Sequence, residues 1–178
     1  AVGVGDVVVV EAEKRLAEAE AMSLKGKSEF VAELSQAYEE QLRKAQEVGQ
    51  QTSEADKKEK ISELVSQRTS QHVMVLDDVQ ERVPEGVKET IAAIRESSIR
   101  GNEEALKSLA RENPEKAAEI ALHIIEERVS KLEEISSDQE KSARVLEEYE
   151  RYVRFGREIS VIAEEAGKDP SRIQELVA

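Results

Sequence analysis

Cysteine and tryptophan are both absent from this 178-residue sequence, and its aromatic residues are limited to two phenylalanines and three tyrosines. Without cysteine, the chain forms no disulfide, no thiolate zinc site and no cysteine nucleophile. With so few aromatic residues, the core must consist of leucine, isoleucine, valine and alanine. That composition, together with many glutamates and lysines, is typical of long helices packed side by side.

Long hydrophobic runs are also missing. A helix that crosses a membrane needs about 20 consecutive apolar residues, whereas the longest apolar stretch here is Val7–Val10. We therefore expect no membrane span in this chain.

Positive charge is scarce, because 26 lysines and arginines stand against 39 acidic residues and leave a net charge of −13. A nucleic-acid-binding surface needs cations that replace the counterions of the phosphates, and this surface would repel phosphate. The same repulsion disfavours docking on an anionic membrane. We therefore expect no nucleic-acid partner.

Motifs of catalysis are missing as well. Gly3-Val4-Gly5 is a pair of glycines without the third glycine or the lysine of a phosphate-binding loop. None of the serines stands in a nucleophile elbow, and no Ser-His-Asp grouping follows from the spacing. We predict that the protein is not an enzyme, with no catalytic residues, no cofactor-binding residues and no cofactor.

From Glu11 onward, apolar residues recur every three or four positions, which predicts a series of amphipathic helices. The first helix should end at Gly26, since glycine suits a helix C-terminus, and Ser28 should cap the second. The second helix should end in the polar linker 49–53. The third, which is the longest and most regular, is expected over about 54–83.

Later breaks are indicated by glycine, proline and polar turns. Gly101 and Asn102 predict a helix stop followed by a new cap, and the short helix that follows should end at Asn113. Pro114 suits the first position of the next helix, and a polar turn at 136–138 interrupts the pattern again. The predicted fold is all-α, an elongated antiparallel helical bundle of six or seven helices.

The first ten residues differ in composition from the rest, because they are dominated by glycine and valine. We assign 1–10 to an N-terminal arm that is either an extended strand or the start of a helix with Asp6 as N-cap and its valines buried. Residues 11–178 are predicted to form a single all-helical domain. A weak internal similarity relates two helical hairpins, 11–49 and 114–166, that flank a central segment. The alignment matches Arg15, Glu20, Ser23 and Tyr38 with Arg128, Glu133, Ser136 and Tyr149.

Four segments carry a resemblance to a known family: Glu13–Ala19, Tyr38–Glu40, Ser70–Leu76 and Val79–Glu85. They are similar to a family of helical domains of unknown function. The resemblance extends from Glu11 to about Gly101, with a looser likeness beyond. Members of that family are extracytoplasmic proteins of bacteria and archaea, so the resemblance implies a location at the cell surface or outside the cell. It implies no activity, and it departs from this chain at the Gly/Val arm, where family members have a polar helical lead-in.

His72 and His123 are the imidazoles of this sequence, and each is a conceivable metal ligand. Di-iron bundles use Glu-x-x-His on facing helices, and neither histidine has a glutamate three positions before it. Glu119 and Glu126 lie within about one turn of His123, but such pairs arise by composition on an acidic helix. We predict no metal site, and His72, His123, Glu119 and Glu126 are the candidates that would overturn this prediction.

The third helix carries two polar groups that need an interpretation. His72 is in phase with Val65 and Val79, so we expect it to be buried, with one ring nitrogen bonded to a neighbouring helix. Burial without a carboxylate partner should lower its pKa. Asp77 and Asp78 lie within a continuous helix, whose carbonyls are already occupied, so a calcium loop is disfavoured and we assign both to the solvated face.

Two kinds of function remain open. The first is a non-catalytic structural or protein-interaction domain of an extracytoplasmic protein, with a protein partner or self-association. The alternative is a helical bundle that binds a metal ion or a small apolar ligand between its helices. A solid core with an exposed apolar strip would favour the partner, whereas a deep apolar pocket or converging His and Glu side chains would favour the ligand.

Overall fold

The computed structural model describes residues 3–135 and 137–178, and these form seven helices with no strand among them. Ala1 and Val2 of the predicted arm and Ser136 of the predicted turn lie outside the described residues. The all-α prediction is confirmed. The helices are α1 (Val4–Leu24), α2 (Ser28–Gln51), α3 (Ala55–Arg82), α4 (Glu85–Glu112), α5 (Pro114–Glu134), α6 (Gln139–Glu165) and α7 (Ser171–Val177).

The chain divides into two compact units, Ala1–Ala105 and Leu106–Ala178. The first contains α1, α2, α3 and most of α4, and the second contains the end of α4 with α5, α6 and α7. The single domain expected over 11–178 stays a prediction. Within the described residues, no helix combines the length and the apolar character needed to cross a membrane.

The core of the first unit is aliphatic with one buried tyrosine. Helices α1, α2 and α3 pack against one another, and α2 turns the same face inward every three or four residues. Each large aliphatic side chain that becomes fully buried stabilises the fold by roughly 1.5–3 kcal/mol. The main cluster includes Leu16, Val31, Tyr38, Leu42, Leu76, Val79, Val87, Ile91 and Ile94.

In the second unit, α5, α6 and α7 pack against one another. The starts of α5 and α6 are set by local chemistry, because Asn113 accepts a hydrogen bond from the Lys116 amide at 3.1 Å and Asp138 accepts one from the Lys141 amide at 3.1 Å. Pro114 stands at the first turn of α5, as predicted. The core contains Leu106, Leu109, Ile120, Ala121, Ile124, Tyr152, Phe155, Ile159 and Ile173.

The Gly/Val segment is the first part of α1, which begins at Val4. Of the two alternatives for the arm, the helix start describes it, but Asp6 is not the N-cap. Gly3 is the N-cap, and Asp6 accepts a hydrogen bond from the Gly3 amide at 2.9 Å. The expectation that the valines are buried is also wrong in part, because Val9 is buried whereas Val7 and Val10 are exposed. A helix turns only one side inward, so a run of valines cannot be buried throughout.

Smaller boundary predictions differ by a few residues. Gly26 follows Lys25, the C-cap of α1, and has a positive φ of 69°, as expected for glycine at a helix end. The N-cap of α2 is Lys27 rather than Ser28, which is the first helical residue. Helix α2 continues to Gln51, so the linker is shorter than 49–53.

The break predicted at Gly101-Asn102 is wrong, since α4 runs without interruption from Glu85 to Glu112. A Cβ at Gly101 would lie 3.2 Å from Leu42 Cδ1, so the glycine allows α2 to approach closely. The Asn102 side chain donates a hydrogen bond to the Ser66 carbonyl at 2.5 Å. Both residues therefore serve packing between helices, and those contacts outweigh the local signal for a break.

Candidate functional site

A buried polar cluster joins three helices of the first unit. His72 on α3 is 5% exposed, and Tyr38 on α2 and Ser98 on α4 are fully buried. The Tyr38 Oη atom lies 2.7 Å from His72 Nδ1 and 2.7 Å from Ser98 Oγ. Because these three side chains meet on one hydroxyl, the register of α2, α3 and α4 is specified by hydrogen bonds as well as by packing.

The protonation of His72 follows from its surroundings. Burial lowers the pKa of His72 to about 4, and the nearby Arg68 charge acts in the same direction. Glu13 Oε1 lies 3.7 Å from His72 Nε2, which is too long for a hydrogen bond, and the same oxygen is 3.5 Å from Arg68 Nη1. The predicted burial and lowered pKa are confirmed, and Glu13 lies near the ring without a hydrogen bond to it.

The neutral form of His72 is compatible with the hydrogen bonds that join the three helices. With the proton on Nε2, the Nδ1 atom accepts the Tyr38 hydroxyl proton, and Ser98 Oγ has the Ile94 carbonyl at 3.3 Å as a second partner. Burial also raises the pKa of Tyr38 well above its usual range, so the phenol keeps its proton. All three side chains of the cluster are buried.

A second polar contact on α3 contradicts the expectation for Asp77, which was assigned to the solvated face. Asp77 is buried, and its Oδ1 atom accepts a hydrogen bond from Arg95 Nε of α4 at 2.6 Å. The pair is an intramolecular ion pair inside the first unit. Sequence periodicity contained the signal, because Asp77 follows the buried Val73 by four residues.

The second unit contains a buried ion pair that the sequence analysis missed. Arg128 on α5 is 1% exposed, and its Nη1 atom lies 3.3 Å from Glu148 Oε2 on α6, which is also buried. Arg128 follows Ile124 by four residues and therefore shares the core face of α5. Attention to charged residues in phase with the apolar stripe would have found both partners.

The metal candidates are distributed over both units. His72 is part of the first unit, and the other three lie on α5 in the second. His123 is exposed with Nε2 3.2 Å from Glu127 Oε1, Glu119 lies 3.7 Å from Lys116 Nζ, and Glu126 is exposed. Among the described residues, no group of three or more His, Asp or Glu side chains is arranged to hold a metal ion. The absence of a metal site stays a prediction.

One end of the first unit has a pocket of about 370 Å³. It lies between the start of α1, the end of α2 and the start of α3. Its apolar wall is formed by Val48, Ile61 and Leu64, and Asp6, Lys57 and Lys60 also line it. The size and the apolar wall suit a small apolar molecule.

The outer side of α5 carries a line of apolar residues, Leu122, Ile125, Val129 and Leu132, which we call the α5 strip. The spacing of three, four and three residues places them along one side of the helix. Leu122 is 39% exposed and Val129 is 41% exposed, whereas Ile125 and Leu132 are half-buried. The strip therefore remains open to solvent beside the core of the second unit.

A row of acidic side chains runs along the solvent edge of the α5 strip. Glu119, Glu126 and Glu133 are exposed and spaced seven residues apart, so they form one line along the helix. We call them the glutamate row. Two of its members are the metal candidates Glu119 and Glu126, and the structure places them next to apolar side chains along one helix.

Comparison with known families matches residues 7–86 to a family described as a domain of unknown function (DUF5667). No curated protein and no solved structure matches the chain. The matched segment covers most of α1, all of α2 and α3, and the start of α4. The resemblance is confirmed, but it ends at 86 rather than near Gly101, and it includes the valines that the sequence analysis took as a departure from the family.

Proposed function

We propose that the chain is a non-catalytic helical module that binds another protein. The observation that carries this proposal is the α5 strip, in which Leu122 and Val129 are exposed and Ile125 and Leu132 are partly exposed along one side of a helix. Single exposed apolar residues are ordinary on protein surfaces, whereas an aligned group of them marks an interaction site. This is the feature that the sequence analysis named as favouring a partner.

The state of the two histidines supports a non-catalytic role. An acid or base catalyst must reach its substrate and change protonation near the working pH. His72 is buried and holds its neutral form to about pH 4. His123 is exposed, but it faces only Glu127 of its own helix among the ion-pair partners that the described residues provide.

We further propose that the module belongs to an extracytoplasmic protein, at the cell surface or secreted. This location rests on the family resemblance. The match over 7–86 supports the resemblance, but the match itself says nothing about cellular location. Fractionation of the native cells with an antibody against the chain tests it, and recovery in the cytosol alone would contradict it.

The interaction proposal is tested by substitutions in the strip. We expect a protein partner, captured from extracts of the native organism and identified by mass spectrometry, to be retained by the wild type and lost by Val129→Glu. The matched control is Val161→Glu on α6, since Val161 is also exposed but lies outside the strip. Circular dichroism checks that both variants keep their helices. Equal capture by all three proteins would contradict the proposal.

A second function is favoured by the pocket at the end of the first unit, which would hold a small apolar ligand. An environment-sensitive apolar dye with a sulfonate group should bind the wild type, and Leu64→Gln should weaken that binding because it places an amide in the apolar wall. The metal form of this alternative is tested by calorimetric titration with zinc, nickel and iron(II). We expect no stoichiometric binding, and micromolar binding that is lost in His72→Leu would favour the ligand-binding function.

A further inference from the structure

The α5 strip has the geometry of one half of a helix–helix seam. Its spacing of three, four and three residues is that of positions a and d of a heptad, and the seam covers Leu122 to Leu132 on α5. At 1.5 Å per residue, the strip is about 15 Å long. A partner helix presents matching side chains at the same spacing, whereas an extended peptide would place its side chains out of phase.

The glutamate row determines the charge of that partner. Glu119, Glu126 and Glu133 lie along one edge of the strip, at the positions that face the flank of a docked helix. Lysine or arginine on that flank would form three ion pairs. Acidic residues there would be repelled.

A second copy of this chain fits the strip poorly. In a two-fold pair the same residues meet across the axis, so the glutamate row of one copy would lie near that of the other. Each copy also carries a net charge of −13.

We propose that the α5 strip docks a basic amphipathic helix of a partner protein, with leucine or isoleucine on the strip and lysine or arginine against the glutamate row. This inference rests on the proposed protein-interaction function and names the chemistry of the partner. Binding of this kind is moderate in affinity and depends on salt, because three exposed ion pairs contribute to it.

The test uses a synthetic helical peptide with leucine at positions a and d and lysine on both flanks, labelled with a fluorophore. Its fluorescence anisotropy is measured with the full chain at low and at high salt. We expect micromolar binding that weakens at high salt. A peptide of the same composition in scrambled order should bind much more weakly, because its apolar residues no longer form a seam.

Two charge variants separate docking on α5 from general attraction to an acidic protein. Replacing Glu119, Glu126 and Glu133 together by glutamine should weaken peptide binding roughly tenfold, as expected for three exposed ion pairs. The matched control replaces Glu29, Glu33 and Glu89, which are exposed in the first unit, so the net charge changes equally. Equal weakening in both variants would overturn the inference.

The apolar part is tested separately, with Leu122→Gln and Val129→Glu, and melting temperatures confirm that each variant folds. Both should weaken binding of the peptide. If the native partner is lost in Val129→Glu but the lysine peptide does not bind, the basic-helix inference fails and the interaction function stands. If sedimentation shows a dimer of the wild type that Val129→Glu disrupts, self-association replaces the basic partner.

Discussion

The two units bury polar groups in different ways. Twelve of the buried polar or charged residues lie in the first unit, and many are serine or threonine, whereas the second unit has Arg128, Glu148 and Ser160 among its described residues. In the first unit, hydroxyls bond to carbonyls of their own helix, as in Ser23 to Ala19 at 2.6 Å and Thr69 to Val65 at 2.6 Å.

This difference determines how each core responds to the loss of one group. A serine that bonds to its own helix keeps its partner wherever the helix packs. Arg128 and Glu148 come from different helices, and each leaves a buried charge behind if the other is removed. The hydroxyl positions of the first core that bond to their own helix should therefore tolerate single substitutions, whereas the buried ion pairs, Asp77 with Arg95 in the first unit and Arg128 with Glu148 in the second, should be sensitive.

The largest effect is expected for Glu148→Leu. Removing one partner of a buried ion pair costs about 3–5 kcal/mol of unfolding free energy, because the remaining buried charge loses an ion-pair partner. Urea denaturation measures the loss, and hydrogen exchange followed by mass spectrometry locates it. Exchange should rise in α5 and α6 and remain unchanged in α1, α2 and α3.

The double variant Arg128→Met with Glu148→Leu is the internal control for that prediction. It should recover much of the lost stability, because no charge remains buried. The exposed pair Arg172 and Glu175, at 3.1 Å, is the surface control, and Arg172→Met should cost less than about 0.5 kcal/mol. A double variant as unstable as the single one would show that the loss in Glu148→Leu does not arise from the Arg128 charge left in the core.

The next effect is the pH dependence that His72 gives the first unit. Its pKa is about 4 in the folded protein against an ordinary 6.5, so the unfolded chain takes up the proton first as the pH falls. The contribution of His72 to the free energy of unfolding is therefore present above pH 6.5 and is lost as the pH falls toward 4. Between pH 7 and pH 5 the loss should be about 2 kcal/mol.

Groups from all neighbouring helices enter this prediction: Glu13 of α1, Tyr38 of α2, Arg68 of α3 and Ser98 of α4. Urea denaturation at both pH values should show that His72→Leu keeps its helices and loses this part of the pH dependence. The control His123→Leu should keep it, since His123 is exposed. An unchanged pH dependence in His72→Leu would mean that the histidine does not stay neutral in the folded state.

A smaller effect is expected for Tyr38→Phe, which removes the hydroxyl shared by His72 and Ser98. Loss of a buried hydrogen-bonding group costs about 1–2 kcal/mol. The matched variant is Tyr149→Phe in the second unit, where the ring is only half-buried, and its melting temperature should change little. Equal losses in both variants would remove the contrast between the two cores.

The smallest effect compares two glycines of α4. Gly86→Ala should raise stability by about 0.5–1 kcal/mol, because nothing lies within 4 Å of the new methyl group and alanine favours the helix. At Gly101 the same gain is offset by Leu42 Cδ1 at 3.2 Å, so Gly101→Ala should be close to neutral. A gain at Gly101 as large as that at Gly86 would show that α2 and α4 are not closely packed there.

Much of the fold and little of the candidate site could be predicted from the sequence. The phase of the apolar residues predicted His72 as buried, and that prediction is confirmed. The pairing of Arg128 with Glu148 was missed because a charged residue on an apolar helix face interrupts the expected pattern. The sequence does not show which residue of another helix would pair with it. The α5 strip was also missed, since its residues are continuous in sequence with the core stripe and differ only in which of them stay exposed.

By itself, the sequence determined the helices and most of their ends. Spacings of three and four residues, glycine after α1, proline at the start of α5 and the side chain of Asp138 before α6 act within one or two turns. Only the tertiary structure decided that α4 passes through Gly101-Asn102, that Asp77 is buried and that the strip remains open. The local signals at helix ends, such as glycine, proline and capping side chains, contribute about 1 kcal/mol each. Contacts between helices outweigh them, and such contacts depend on residues far apart in the chain.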